Sequence, residues 1–323
     1  MFIRLDRNEM PRPPPKEIID VMKLSLDKIH RYTPQYEVDI LINLLSDYTK
    51  APQDSIILSS GSDILIKEFI YLFSRGRQIV IADPTFILIS NTAPKTSSPI
   101  LKVRLKEPEF KFYLESIIDE IKKPTLMILD NPNNPTGSLI LNEKDVKMIL
   151  ENENIIFLID EAYFEFSNIT YSHMIKDYPN LAIVRTLSKS FGLAGSGIGY
   201  IIAGEIIQQR FLGLNIMLPY PSVIAGINAL KNKNYMIKYI KEVTLEKKRI
   251  IDLVLNLGFK VYPSFTNFLL IKTNIQKIAK KLRDQNILVL DLSNQLGSEY
   301  IRVTLGTKKE NDFFLQALKK IIV

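Results

Sequence analysis

The chain of 323 residues contains no cysteine. Disulfides, thiolate metal sites and a cysteine nucleophile are excluded together. Histidine is nearly as scarce: His30 and His173 are the only two, and neither has ligand spacing around it. A zinc centre or a Ser-His-Asp triad is not expected, and both histidines read as structural. Internal repeats, low-complexity linkers and apolar runs of transmembrane length are missing too. The segment MFIRLDRNEMPRPPP lacks the apolar run of a signal peptide, so the default expectation is a cytoplasmic protein without a membrane partner. The net charge of +7 is not concentrated in a one-signed stripe. Basic residues alternate with acids, as in KKENDFFLQALKK, which reads as a solvated helix surface rather than a nucleic-acid interface.

What is present is an ordinary soluble composition, 46% hydrophobic and 24% charged, long enough for a large domain with a smaller one beside it. Short apolar, β-branched runs alternate with longer amphipathic segments. The clearest are Ser55–Leu58, Gln78–Ala82, Thr125–Leu129, Ile155–Ile159, Leu181–Val184 and Gly199–Ala203. Apolar residues on both faces of these runs predict a largely parallel sheet covered by helices, an α/β fold. The runs end in polar or ionisable residues: SSGSD, DPTF, DNPNNPTG, DEAY and RTLSK. Open α/β sheets bind ligands outside the carboxyl ends of their strands, so five such ends are expected to share one crevice. Beyond about residue 225 the pattern changes to a long charged helix (Asn232–Leu255), a strand (Asn267–Lys272), a helix and a strand (Tyr300–Leu305). The predicted division is an N-terminal arm over 1–30 packing with the small domain, a large domain over 31–224 and a small α+β domain over 225–323.

The stretch SKSFGLAGSGIGY, Ser188 to Tyr200, sets a lysine before a run of glycines. A dinucleotide fingerprint fails because its third glycine would fall at Tyr200, and a P-loop fails because Lys189 precedes the glycines. Alone, the stretch reads as a strand-to-strand turn with an exposed lysine. Its neighbours fit a further reading. Pyridoxal phosphate needs an amine for its aldehyde, an anion site, a carboxylate for its pyridinium nitrogen and donors for its phenolic oxygen. Lys189 offers the amine. Gly61, Ser62 and Asp63 open an amphipathic helix whose N-terminus suits a phosphate, and Thr186 and Ser188 add hydroxyls. Asp160 ends a buried strand, where a carboxylate wants a cationic partner. Asn134 and Tyr163 offer hydrogen bonds, and Phe86 a flat face.

With these residues assembled, the chain resembles the histidinol-phosphate aminotransferase family of fold-type I pyridoxal-phosphate enzymes. The resemblance runs nearly end to end, through LDRNEMP, HRYTP, SSGSD, NPNNPTG, DEAYFEF, RTLSKSFGLAG, LPYPS, SFTNF and IRVTLGT. It implies a large cofactor-binding domain with a mostly parallel mixed sheet between helices, and a smaller α+β domain. It also implies that Lys189 bonds the cofactor aldehyde and shuttles a proton. Asp160 would hold the pyridinium charged, Asn134 and Tyr163 would bond the phenolic oxygen, and Phe86 would stack. Gly61, Ser62, Thr186 and Ser188 fall in the phosphate cradle. Tyr32 would reach the phosphate in a neighbouring subunit, implying a homodimer with shared sites, and Arg302 would grip the substrate carboxylate.

Two positions depart from the family pattern: Gly197 and Leu290 stand where its members carry, or often carry, an arginine for the cofactor phosphate and for the substrate's anionic end. A lost charge-assisted hydrogen bond costs about 1.5–3 kcal/mol, so both departures predict weaker phosphate binding. The implied activity is amino transfer between histidinol phosphate or an amino acid and a 2-oxo acid, within histidine biosynthesis. The alternatives are an aromatic or other amino-acid aminotransferase, a threonine-phosphate decarboxylase-like lyase, and a non-catalytic binding module.

Overall fold

The computed structural model describes residues 2–213 and 217–322. A short strand, β1 (Ile3–Leu5), precedes two helices, α1 (Lys16–Leu24) and α2 (Gln35–Thr49). Strand β2 (Ile56–Ser59) follows and leads into α3 (Ser62–Ser74). The remaining strands of the larger sheet are β3 (Gln78–Asp83), β4 (Ile100–Arg104), β5 (Thr125–Asp130), β6 (Ile155–Asp160), β7 (Leu181–Thr186) and β8 (Gly199–Ala203). They form a seven-stranded sheet in the order β2-β8-β7-β6-β5-β3-β4. All pairings not involving β8 are parallel, whereas β8 runs antiparallel to β2 and β7. A parallel return needs a crossover, usually a helix. The connection from Leu187 to Ile198 holds only a 3₁₀ turn at Ala194–Ser196, so the chain doubles back.

The six predicted strands of this sheet are present, several of them running on into the polar residue that follows the apolar run. Strand β4 was not foreseen. It is an edge strand whose ILKVR sequence is partly exposed, so no buried apolar run marks it. The central strands β5, β6 and β7 are buried along their whole length. Their alternation sorts side chains between two cores. Ile155, Phe157 and Ile159 of β6 join Leu41 and Leu45 of α2 and Val223 on one face, whereas Ile156 and Leu158 join Leu65, Ile66 and Phe69 of α3 on the other. This two-sided burial is why the strands read as continuous apolar runs.

The second sheet contains β9 (Lys260–Val261), β10 (Phe268–Lys272), β11 (Ile287–Asp291) and β12 (Tyr300–Thr304), in the order β1-β11-β12-β10-β9. Strand β1 joins it in parallel with β11, Ile3 opposite Ile287. The arm therefore touches both halves: its first strand extends this sheet, while α1 packs against the helix Tyr220–Lys231. The long charged helix runs from Asn234 to Leu255. Among the described residues no helix is long and apolar enough to cross a membrane.

The last glycine of SKSFGLAGSGIGY fixes how the sheet meets α3. A Cβ built on Gly199 would lie 2.2 Å from the Ser62 nitrogen and 2.4 Å from the Gly61 carbonyl carbon, so backbone packs on backbone. Gly195 has nothing within 4 Å. Gly199→Ala is therefore expected to lower the urea midpoint by the equivalent of about 1–3 kcal/mol. Gly195→Ala should stay within about 0.5 kcal/mol of the parent, and equal effects at the two positions would count against this packing.

Candidate active site

The carboxyl ends of β2, β3, β5, β6 and β7 meet at a cavity of 480 Å³, closed from the side by the N-terminal arm and by β11–β12. Gly61, Ser62, Asp63, Phe86, Asn134, Asp160, Tyr163, Thr186, Ser188, Lys189 and Arg302 all line it. Tyr32 does not. It is 81% exposed and lies with Met217–Pro221 in a separate shallow recess. Gly197 and Leu290 line the cavity as well.

Lys189 is half-buried, and its Nζ donates to the Arg7 carbonyl at 3.2 Å. Burial and the neighbouring Arg302 guanidinium both disfavour the ammonium, and they outweigh Asp63, Glu9 and Asp160. The amine is pushed down from 10.5 to about 8. A substantial fraction is then the neutral, nucleophilic form near neutral pH. Asp160 shows the opposite displacement. It is buried, and burial together with the charge of Asp130 raises its carboxyl from 3.8 to about 8. Asp160 Oδ1 accepts the Ala162 N–H at 2.9 Å, while Oδ2 has no hydrogen-bond or ion-pair partner among the described residues. A buried carboxylate without a cation is costly, and a protonated ring nitrogen in the cavity would relieve that cost.

On the wall facing β12, Arg302 donates from Nη1 to Asn134 Oδ1 and from Nη2 to the Asp6 carbonyl at 2.6 Å. Its Nε is buried without a partner, and the guanidinium lies 5.1 Å from the Phe268 ring centre. Because Asn134 Oδ1 is engaged, the Nδ2 donors stay free within the described chain. Tyr163 is arranged alike: its oxygen accepts from Asn8 Nδ2 at 2.7 Å, which leaves the hydroxyl proton available. Burial raises this phenol to about 12, partly offset by Arg302. The two residues thus present unused donors, as an anionic oxygen requires.

The anion cradle is built differently from its sequence outline. Gly61 sits at φ +102°, a conformation glycine adopts at no steric cost, but its N–H is spent on the Ser59 carbonyl at 2.8 Å. No side chain caps α3, so the amides of Ser62 and Asp63 in its first turn remain to face an anion. The Thr186 hydroxyl donates to Ser188 Oγ at 2.8 Å and accepts the Ser188 N–H at 3.1 Å, holding the loop before Lys189 in place. The cations lining the whole cavity are Arg7, Lys189 and Arg302.

The family model described as aminotransferase class I and II matches residues 1–318. The histidinol-phosphate aminotransferase of Sulfurisphaera tokodaii is 36% identical over 327 residues, covering 99% of this chain and 90% of that protein. The chain belongs to the class I and II aminotransferases. Among solved structures, the histidinol-phosphate aminotransferase from Clostridium acetobutylicum aligns with a TM-score of 0.89 at 26% identity, covering 98% of each chain. The enzyme from Sinorhizobium meliloti, solved with pyridoxal-5'-phosphate, gives 0.89 at 22% identity over 99% of this chain and 90% of that one.

Several residues that build this aminotransferase's site escaped sequence reasoning. Asp130 accepts from Thr85 Oγ1 at 2.9 Å, the Phe86 amide at 3.2 Å, Asn133 Nδ2 at 2.9 Å and the Asn134 amide at 2.7 Å. It thereby locks two loops together, and burial raises it to about 6 despite those bonds. Its place directly after the apolar run Thr125–Leu129 was the available signal. Asn8 stood only within the segment LDRNEMP: its amide donates to Thr304 Oγ1 at 2.9 Å, and its side chain holds Tyr163. Behind the cavity, Arg185 donates from Nε and Nη2 to Glu161 Oε2 at 2.9 and 2.8 Å. Both residues are 1% exposed.

The displaced carboxyl of Asp160 has a consequence for stability. Its folded pKa lies above its unfolded value, so the folded state retains the proton while the unfolded chain has lost it between 3.8 and about 8. Without cofactor, stability therefore falls as pH rises through that window. Asp160→Asn removes the titrating group and should melt higher than the parent at about pH 8, while amino transfer drops by about 10²-fold or more. Melting curves across the window check this, and parallel pH dependences in the two proteins would exclude it.

Proposed function

We propose that this aminotransferase binds pyridoxal phosphate in the 480 Å³ cavity and transfers an amino group from histidinol phosphate to a 2-oxo acid such as 2-oxoglutarate. The observation that carries the chemistry is one cavity holding a lysine lowered to about 8 and a buried carboxyl raised to about 8. The donor's identity rests on the relatives, whose names agree on histidinol phosphate at 30–36% identity along 99% of this chain.

Each residue has a distinct task in this reading. Asp160 holds a proton on the ring nitrogen, and Asn134 Nδ2 and Tyr163 Oη donate to the phenolic oxygen. Phe86 stacks on the ring. The Ser62 and Asp63 amides, with the Ser188 hydroxyl, receive the phosphate beside Gly61 and Thr186. When bound, the cofactor supplies an aldehyde carbon that takes the amine and a ring that accepts electrons from the donor's α-carbon. Lys189 would hold that aldehyde through its Nζ, and the same Nζ would move the proton at the donor's α-carbon. Arg302 orients an anionic end of the substrate, its unpartnered Nε supplying a further donor. Asp63 brings its carboxylate close enough to raise the pKa of both Lys189 and Asp160, which favours a charged lysine and a protonated acid.

The proposal includes a homodimer with shared sites. Supporting it is an apolar surface near α1 and α2, where Leu24 is 77% exposed, Ile29 65% and Tyr32 81%. Monomers seldom leave such groups clustered in water. Tyr32 would then serve the partner's phosphate site. The chain would divide into an N-terminal arm, a large domain and a small domain in a cytoplasmic setting, with the second boundary beyond the helix Tyr220–Lys231 rather than at residue 224 within it.

Rapid-mixing absorbance of the cofactor-loaded protein against histidinol phosphate, phenylalanine, glutamate and phosphothreonine tests the function. Histidinol phosphate should convert the bound cofactor to its amine form at the lowest donor concentration. Lys189→Ala should fold normally, fail to retain cofactor after borohydride reduction and lose about 10²–10⁴-fold in transfer rate. Release of carbon dioxide from phosphothreonine, with the aldehyde form regenerated, would instead make the protein a lyase.

A further inference from the structure

A second cavity, of 750 Å³, lies at the opposite edge of the seven-stranded sheet. It is lined by the residues that lead into β3, β4 and β5, at Gln78, Pro99 and Pro124. Strands of this length rise about 3.3 Å per residue, which sets it on the order of 15–20 Å from the first cavity. Arg75, Arg77, Lys95 and Lys123 line it, and no carboxylate does. None of these four side chains joins an ion pair among the described residues. The Nε of Arg77 is buried without any hydrogen-bond acceptor.

The walls are fixed by hydrogen bonds. The Ser74 carbonyl accepts both the Arg77 amide at 2.9 Å and Ser98 Oγ at 2.6 Å, joining the end of α3 to the segment that carries Lys95. Thr96 Oγ1 donates to the Ala93 carbonyl at 2.8 Å and accepts the Ser98 amide at 3.3 Å. The amides of Ile79 and Gln78 donate to the carbonyls of Pro99 at 2.8 Å and Pro124 at 3.0 Å, which joins the three strand entrances. Unpaired like charges held in one concave site raise its potential and draw anions. A buried guanidinium donor without an acceptor is costly until a ligand oxygen supplies one.

The charge count narrows the ligand. One phosphate monoester brings about two negative charges, leaving about half of the cationic lining uncompensated, whereas two linked phosphates offset more of it. The volume lies in the range of small-molecule sites, about 300–1,000 Å³. We propose that this basic cavity is a second ligand site, separate from the active site, that takes a small molecule bearing two linked phosphates.

Calorimetric titration of the pyridoxal-phosphate-loaded protein with inorganic pyrophosphate at low salt tests it. One saturable equivalent is expected, weakened about tenfold or more in Lys95→Gln/Lys123→Gln. Lys280→Gln/Lys281→Gln removes the same charge from the helix Ile278–Asp284 and should leave affinity within about twofold. Arg302→Gln in the active site should do the same. Absence of saturable binding overturns the proposal, as do equal losses in both lysine pairs, which would report net charge alone. A loss in Arg302→Gln would place the anion in the active site and overturn it too.

Discussion

The ion pair between Arg185 and Glu161 holds the active-site edge of the large sheet together. Both groups are 1% exposed, and two guanidinium N–H groups converge on one carboxylate oxygen. The other oxygen accepts the Tyr171 amide at 2.9 Å, and the Phe164 ring lies 3.8 Å beneath the guanidinium. Removing one partner would strand the other as a buried charge, at a cost of about 3–5 kcal/mol. The position of the pair in the chain matters as much as its strength. Glu161 directly follows Asp160, and Arg185 directly precedes Thr186. Joining them aligns the ends of β6 and β7, and with them the carboxylate and the loop that carries Lys189.

That alignment lets two groups be displaced in opposite directions within one cavity. Burial raises Asp160 and lowers Lys189, each to about 8. In each case burial disfavours the charged form, so both groups titrate close to neutrality. Both suit a site that exchanges protons near neutrality. The cost is borne by a sheet buried on both faces, where three central strands have no exposed residue.

Much of this was legible beforehand, for a physical reason. Two-sided burial writes parallel strands as apolar runs, and the turn after each run must be polar, so strand ends announce themselves. Lys189, Asp160, Asn134, Phe86 and Ser62 were found from that pattern, and the structure gathers them around one cavity. The edge strand β4 was missed because half-exposed strands carry no such run. Asn8 and the pairing of β1 with β11 were missed because they join residues nearly the whole chain apart. The basic cavity draws on three separated segments, each unremarkable alone. Gly61 shows a subtler limit: its type and place were evident, but not that its amide is already spent on Ser59.

By itself, then, the sequence determined the order of strands and helices, the residue types at each strand end and the family, because these depend on local pattern and spacing. The tertiary structure alone decided which donors stay free, which charges are left unpaired and how far Lys189 and Asp160 move from their ordinary pKa. Those properties depend on desolvation and on neighbours brought together from distant segments. In SKSFGLAGSGIGY the lysine was visible from the start. That Gly199 is the residue on which α3 rests became apparent only once β8 had packed against it.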